Sequence, residues 1–443
     1  MKVKLKKNAI IELITIFVLT LLFTLFNNSI TSDEVWNYGF SYNIATGLIP
    51  YKDFNMVVTP VFPMLGSFFL SIFGKNILVF TIFNSLICTT IFYFLKKNNP
   101  QSYYISYTIL LLFSIPTYTL FCLLLLYIII DLEDKKTNDI LIGITLGITF
   151  LTKQNIGIYL LFPTFLTKNI KQITKRIIGF IIPNIILLIY LLLSNSFHEF
   201  IDYCFLGISS FKENFMIYPY AFIIPILAVI YIIFKYHQNH DKKLLYFLSF
   251  QLLSYPIIDP YHVIIPFIPV FNYFLNTKKY NKKIVMIAFL SFILAITISN
   301  IISYHKNIYV FSSNTNTLKY RKLTPEFIHE FSSAKNYISN IPSNYNLYII
   351  SSHAYLLKLE TNLPINKYDL LNKGNLGSRG YSKIITEIDN NCQNNLCLFL
   401  IYDKKGYKDC QYDTAIIKYI TDNYTYYEDI PDTPLKAYIN TVQ

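Results

Sequence analysis

The sequence predicts a mainly α-helical membrane protein that ends in a small α/β domain. Three observations carry this. Apolar residues make up 53% of the chain, charged residues only 14%, and the mean hydropathy is +0.40; a soluble domain carries roughly 25% charged residues. Long apolar segments recur through the first 303 residues, and the pattern changes at about residue 304, where charges return and short alternating segments begin.

The N-terminus, MKVKLKKNAIIELITIFVLTLLFTLF, joins a basic start to a long apolar run but has no small-residue cleavage site, so it reads as an uncleaved first helix. Segments able to cross about 30 Å of hydrocarbon fall near 9–27, 77–95, 102–115, 117–131, 140–152, 155–167, 176–194, 219–235, 243–257, 261–276 and 284–303, eleven in all. The stretch Met56–Gly74 is apolar too, but Pro60, Pro63 and Gly66 interrupt it. It reads as a helix lying in the outer interface.

With the N-terminus inside, this arrangement places 19 basic residues in inner segments and four (Lys52, Lys75, Lys153, Lys212) in outer loops before residue 304, as the positive-inside rule requires. Letting Met56–Gly74 cross would invert every later loop and erase the bias. The reading is therefore a multi-pass plasma-membrane protein with a cytoplasmic N-terminus and an extracytoplasmic C-terminal part. The inner loops offer solvated lysines that face anionic lipid, so the net charge of +12 calls for no nucleic-acid partner.

An odd number of crossings puts residues 304–443 outside, giving two domains, 1–303 and 304–443. Thr324-Pro325-Glu326 predicts a helix start, Leu347–Ile350 and Leu396–Ile401 predict buried strands, and 381–389 and 413–423 predict helices. Cys392 and Cys397 are spaced for a disulfide in an oxidising compartment, while Cys88, Cys122, Cys204 and Cys410 suggest no metal site. The stretch Gly374–Gly380, GNLGSRG, lacks the strand-to-helix setting and Lys-Ser/Thr ending of a phosphate loop and reads as a surface turn.

Groups able to do chemistry sort to the outer face: Asp33, Glu34, Lys52, Asp53, Lys153, Gln154, His198, Glu199, Asp202, Asp259, Tyr261 and His262. Asp33 and Glu34 open the first external loop, either as a reactive carboxylate pair or as a hydrated loop start. Lys153-Gln154 interrupts an apolar run at the outer turn of a helical hairpin, where a lysine either snorkels or reaches for a lipid phosphate. Asp259, Tyr261 and His262 sit in a turn bounded by prolines, and His262 there is either a hydrogen-bonded helix end or a reacting group. Lys52-Asp53 is readable as a local ion pair, and His198 and Glu199 as structural. Trp36 and Tyr38 either stack on a sugar face or form an interfacial aromatic belt.

The acidic pair after the first helix, the aromatic loop behind it, the Pro-flanked Met56–Gly74 segment, the short hairpin at Leu151–Gly157 and the C-terminal α/β part together resemble the GT-C glycosyltransferases. The similar members are the protein O-mannosyltransferases and aminoarabinose transferases, which use polyprenyl-phosphate sugars. Where that family often has a Pro-Pro pair, this chain has Thr59-Pro60 followed by Pro63.

The resemblance implies a GT-C membrane fold with juxtamembrane helices and a membrane enzyme of glycosylation at the cell envelope. It further implies Asp33 as base, with Glu34 second, and Lys52 and Lys153 as holders of the carrier phosphate. Gln154, Asp259, Tyr261, His262, Trp36 and Tyr38 complete the expected substrate-binding set. The expected partners are a polyprenyl-phosphate sugar, a glycan, lipid or protein acceptor, and membrane lipid. One displacement at the anomeric carbon inverts its configuration, by the geometry that separates inverting from retaining glycosidases. No cofactor or metal is expected, although adjacent Asp33 and Glu34 are able to contribute to a divalent-ion site. Two other classes remain open: a transporter or flippase of lipid-linked sugars, which would show internal repeats and midplane charges, and a non-catalytic sugar-binding membrane subunit.

Overall fold

The computed structural model describes residues 7–25, 32–100, 103–114, 117–136, 138–166, 169–207, 222–254, 260–276, 287, 291, 310–311, 317–318, 322–351, 354–361, 363, 367, 376–402 and 414–440. Among the described residues, thirteen α-helices with defined bounds precede the first strand: α1 (Lys7–Leu25), α2 (Ser32–Ala45), α3 (Val61–Phe73), α4 (Ile77–Asn98), α5 (Tyr103–Leu112), α6 (Tyr118–Asp134), α7 (Asp139–Phe150), α8 (Gln154–Phe165), α9 (Ile170–Leu193), α10 (Phe197–Cys204), α11 (Ile223–Asn239), α12 (Lys242–Gln251) and α13 (Pro260–Asn276). Ten of the eleven expected spans coincide with helices in this series, and the eleventh, 284–303, lies almost wholly outside the described residues. Two of them, α4 and α9, are by themselves long and apolar enough to cross a membrane. The 10-residue α5 and 12-residue α7 extend only about 15 and 18 Å.

The stretch after α1, read from the sequence as a loop opened by Asp33 and Glu34, is helical there, because α2 takes both carboxylates into its first turn, where they complement the helix dipole. The 13-residue α3 turns Phe62, Gly66 and Leu70 inward and leaves Phe68, Ile72 and Phe73 exposed. Its Gly66 lies against the Ser41 side chain, which fixes α3 on α2.

The closest helix crossing is α7 on α9. Gly143 and Gly147 form a G-x-x-x-G stripe, and a Cβ on Gly143 would run into the Arg176 carbonyl and lie 2.9 Å from the Gly179 Cα. Small residues at such spacing let two backbones approach where lipid offers no hydrophobic drive.

The lysine-rich helix ends correct the expectation of solvated lysines. Buried Arg176 pairs with Glu133 at 2.6 Å and with Asp139 at 2.8 Å, and Lys242 reaches the same Glu133 at 3.1 Å. Lys243 pairs with Asp134 at 2.7 Å and Lys135 with Asp131 at 2.6 Å, while Lys97 also meets Asp131 and Lys96 meets Glu12. The acidic cluster Asp131–Asp134, on the last turn of α6, brings the ends of α4, α6, α9 and α12 to one end of the bundle. Pairing offsets the cost of holding these charges beside apolar packing.

Beyond residue 310 the chain forms a strand pair, β1 (Val310–Phe311) with β2 (Lys322–Leu323), and a four-stranded sheet of β3 (Tyr345–Ile350), β4 (Leu396–Tyr402), β5 (Thr425–Asp429) and β6 (Leu435–Ile439). The sheet order is β3-β4-β6-β5, with β3 and β4 parallel from Tyr345↔Leu396 to Ile350↔Ile401 and the other pairs antiparallel. Four helices join it: α14 (Pro325–Ser339), α15 (Ala354–Thr361), α16 (Gly380–Cys392) and α17 (Thr414–Asn423). Thr324 caps α14 by accepting from Phe327 N at 3.2 Å, with Pro325 in the first turn, as the Thr-Pro-Glu triplet predicted.

Leu347, Ile349, Leu398 and Leu400 pack toward α14 and the main core, while Tyr348, Ile350, Phe399 and Ile401 pack toward α16 and α17. Both faces of β3 and β4 are thus covered, which explains their uninterrupted apolar sequences. Cys392 and Cys397 form a disulfide; Cys410 lies outside the described residues.

Candidate functional site

Asp33 is exposed at the start of α2, and its backbone carbonyl accepts from Asn37 Nδ2 at 2.8 Å. Glu34, one residue on, is buried. The Asp33 carboxylate lies within electrostatic reach of the Tyr261 phenol on α13. That phenol shares a short hydrogen bond with Thr117 Oγ1, the residue that precedes α6.

Lys153 reaches the same place from the α7–α8 hairpin. It is the N-cap residue of α8, and its Nζ lies 4.9 Å from the centroid of the Tyr118 ring and 3.4 Å from Thr119 Oγ1. Two separated segments thus converge on Thr117-Tyr118-Thr119, the N-terminal turn of α6, and bring a phenol and an ammonium together there, with the Asp33 carboxylate acting electrostatically on the phenol. A helix N-terminus presents unsatisfied N–H groups and a partial positive charge, so this corner favours an anion beside the lysine.

The other expected residues are distributed differently. Gln154 points to the opposite side of the hairpin, donating from Nε2 to Cys204 O at 2.7 Å. Lys52 is exposed in the turn after α2, where Tyr51 adopts a left-handed φ of 69°. Asp53 does not pair with Lys52 among the described ion pairs; its carboxylate accepts from Ile49 N at 2.7 Å and closes that turn. None of the described contacts ties Lys52 to Lys153.

His262 is half-buried beside Tyr261, with ring centroids 5.8 Å apart, and its carbonyl accepts from Ser254 Oγ at 3.1 Å. Tyr38 is fully buried and donates its hydroxyl to Lys75 O at 3.1 Å, and Trp36 packs on Phe40 with centroids 5.1 Å apart. Both rings are therefore inside the α2 packing, neither on the surface nor in an interfacial belt. Asp259 lies outside the described residues.

Three contributors escaped the sequence reading. Thr117, Tyr118 and Thr119 sit at the head of a leucine-rich helix, and hydroxyls there leave hydropathy almost unchanged. The one available signal was their position, level with the outer turns on either side. Among the described residues no group of three or more His, Cys, Asp or Glu side chains is arranged to hold a metal ion.

No protein-family model matches the chain, and no curated protein matches it either. A solved structure does. ArnT from Cupriavidus metallidurans, in a crystal structure bound to undecaprenyl phosphate, superposes with a TM-score of 0.58. The match covers 99% of this chain and 99% of ArnT at 8% sequence identity. The chain has the fold of ArnT. At that identity the likeness concerns backbone architecture, bundle and C-terminal sheet together, and leaves the side chains of the candidate site to be read from this chain alone.

Proposed function

We propose that the protein is an integral membrane glycosyltransferase that moves a sugar from a polyprenyl-phosphate carrier to an acceptor hydroxyl on the extracytoplasmic face. The observation that carries this reading is the meeting of Tyr261 and Lys153 at the N-terminal turn of α6, with Asp33 acting electrostatically on Tyr261, in a chain that follows the fold of a protein solved with undecaprenyl phosphate.

In this reading the acceptor oxygen attacks the anomeric carbon, the bond from that carbon to the carrier phosphate breaks, and the configuration inverts. Asp33, exposed at the mouth of the site, accepts the hydroxyl proton as the new bond forms. Glu34 supports it from within the packing. Negative charge gathers on the departing polyprenyl phosphate, and the Lys153 ammonium with the α6 N-terminus stabilises it where water is partly excluded. Lys52 and His262 bear on the carrier headgroup or acceptor rather than on the reacting atoms. A lipid-linked donor also removes any need for a soluble nucleotide outside the cell. The acceptor class is a glycan, a lipid or a protein.

The test is transfer from radiolabelled polyprenyl-phosphate sugars in membranes that carry the protein. Asp33→Asn is expected to lower transfer by about 10²–10⁴-fold while inserting normally. Full transfer by that variant would sink the proposal and favour a carrier-flipping or binding role. The proposed chemistry is metal-independent, so the same assay is expected to proceed unchanged in excess chelator; loss restored by added divalent ion would assign a metal instead.

A further inference from the structure

The C-terminal part of the chain touches the membrane bundle at a built joint. The turn Gly377–Arg379 receives the Asp202 carboxylate of α10: Ser378 N donates to Asp202 Oδ1 at 3.0 Å, and the Ser378 hydroxyl reaches the same oxygen. A Cβ on Gly377, whose φ is +75°, would strike that carboxylate and meet the Tyr203 ring at 3.1 Å. Only glycine fits at such a φ and approach.

From the other side a Cβ on Gly207 would come within 2.8 Å of the Gly377 Cα, so the two backbones pass almost in contact. Lys383 of α16, its side chain 5% exposed, pairs with Glu199 at 2.6 Å, stands 3.8 Å from Asp202 and lies 5.2 Å from the Tyr203 ring centroid. The G-S-R-G turn thus cradles an anion after all, an internal carboxylate from α10.

The same short helix touches the hairpin that carries Lys153. Cys204 O, at the end of α10, accepts from Gln154 Nε2 at 2.7 Å, next in sequence to Lys153. Its Sγ lies 3.5 Å from Val58 O and 3.6 Å from Tyr51 Oη, in the segment that leads from Lys52 to α3. One eight-residue helix is clamped at Asp202 and Glu199 by the C-terminal part and at Cys204 by the lysine hairpin.

We infer that Lys383 and Ser378 are positioning residues of the transfer site, holding the Lys153 ammonium in place through α10 and Gln154, so that the C-terminal part governs binding of the carrier phosphate. The inference rests on the proposed role of Lys153. A surface-type ion pair contributes little, but a lysine this buried leaves stranded carboxylates when removed, and the strain passes to the element those carboxylates belong to.

The test is binding of undecaprenyl phosphate by the purified full-length protein in detergent, followed by native mass spectrometry, with folding checked by circular dichroism. Lys383→Met is expected to weaken binding by roughly fivefold or more, and the charge exchange Glu199→Lys with Lys383→Glu to restore it. If Lys383→Met fails to fold, Ser378→Ala supplies the same readout with a milder change.

In a Lys153→Met background, Lys383→Met is expected to add no further loss, because the two act through one group. Parent-like binding by both Lys383→Met and Ser378→Ala, or additive losses in the double variant, would overturn the inference and leave the transferase reading standing. Parent-like binding by Lys153→Met would instead remove the phosphate role of Lys153, and the inference with it.

Discussion

At the scale of single residues, the candidate site depends on a hydroxyl pair that no motif announces. Tyr261 and Thr117 share one hydrogen bond between α13 and the start of α6, and the phenol also feels the charge of Asp33. Tyr261→Phe and Thr117→Val should each slow transfer by about tenfold, the equivalent of ~1.4 kcal/mol lost with one hydrogen bond. The double variant should be no slower than either single one; additive rates in that cycle would show that the two side chains act separately.

Asp33, Lys153 and Tyr261 were legible in the sequence because charge or a polar aromatic beside an apolar run is costly unless it is used. Trp36 and Tyr38 were legible as aromatics but not as buried ones. Which face of α2 turns inward follows from its packing on α3 at Gly66, and the interval between Asp33 and Tyr38 does not reveal it.

At the scale of elements, the α7–α9 crossing is the contact most exposed to a single change. Gly143→Val would press a branched side chain onto the Arg176 carbonyl and the Gly179 Cα, at a cost of about 1–3 kcal/mol. The expected outcome is a lower melting temperature in detergent with α7–α9 separation, and an unchanged melting curve would argue that these helices do not pack at their glycines. The stripe stood in the sequence as G-I-T-L-G, readable as a packing face, but its partner on α9 did not.

The charged helix ends follow the same logic. The lysines were visible and so was the acidic run of α6, yet their pairing through Asp131, Glu133 and Asp134 joins residues far apart in the chain. The buried strands β3 and β4 and the helices α14, α16 and α17 were, by contrast, legible close to their boundaries, since capping at Thr324 and short apolar runs are local signals, while α15 and the less apolar strands β1, β2, β5 and β6 were not.

At the scale of the whole molecule, the orientation in the membrane is the proposal that decides where the chemistry happens. The lysine-rich end of the bundle is assigned to the cytoplasm and the sheet to the outside. The free cysteines Cys88, Cys122 and Cys204 are buried, so in a Cys410→Ser background single introduced cysteines report sidedness. His329→Cys, on the exposed face of α14, should react with an impermeant maleimide on intact cells, and Lys136→Cys, between α6 and α7, only after the membrane is opened. The reverse pattern would place Asp33 in the cytoplasm and remove the lipid-linked donor from reach.

By itself the sequence determined the class of this protein: an apolar, helix-rich chain with basic residues sorted to alternate loops and a polar α/β end. Those properties are local or periodic, and each residue contributes to them wherever the chain goes. Only the tertiary structure decided that Thr117–Thr119 would receive Tyr261 and Lys153, that Tyr38 would be enclosed, and that a glycine turn would grip Asp202. These depend on helix rotation and on contacts between segments up to hundreds of residues apart, which packing sets and periodicity does not encode.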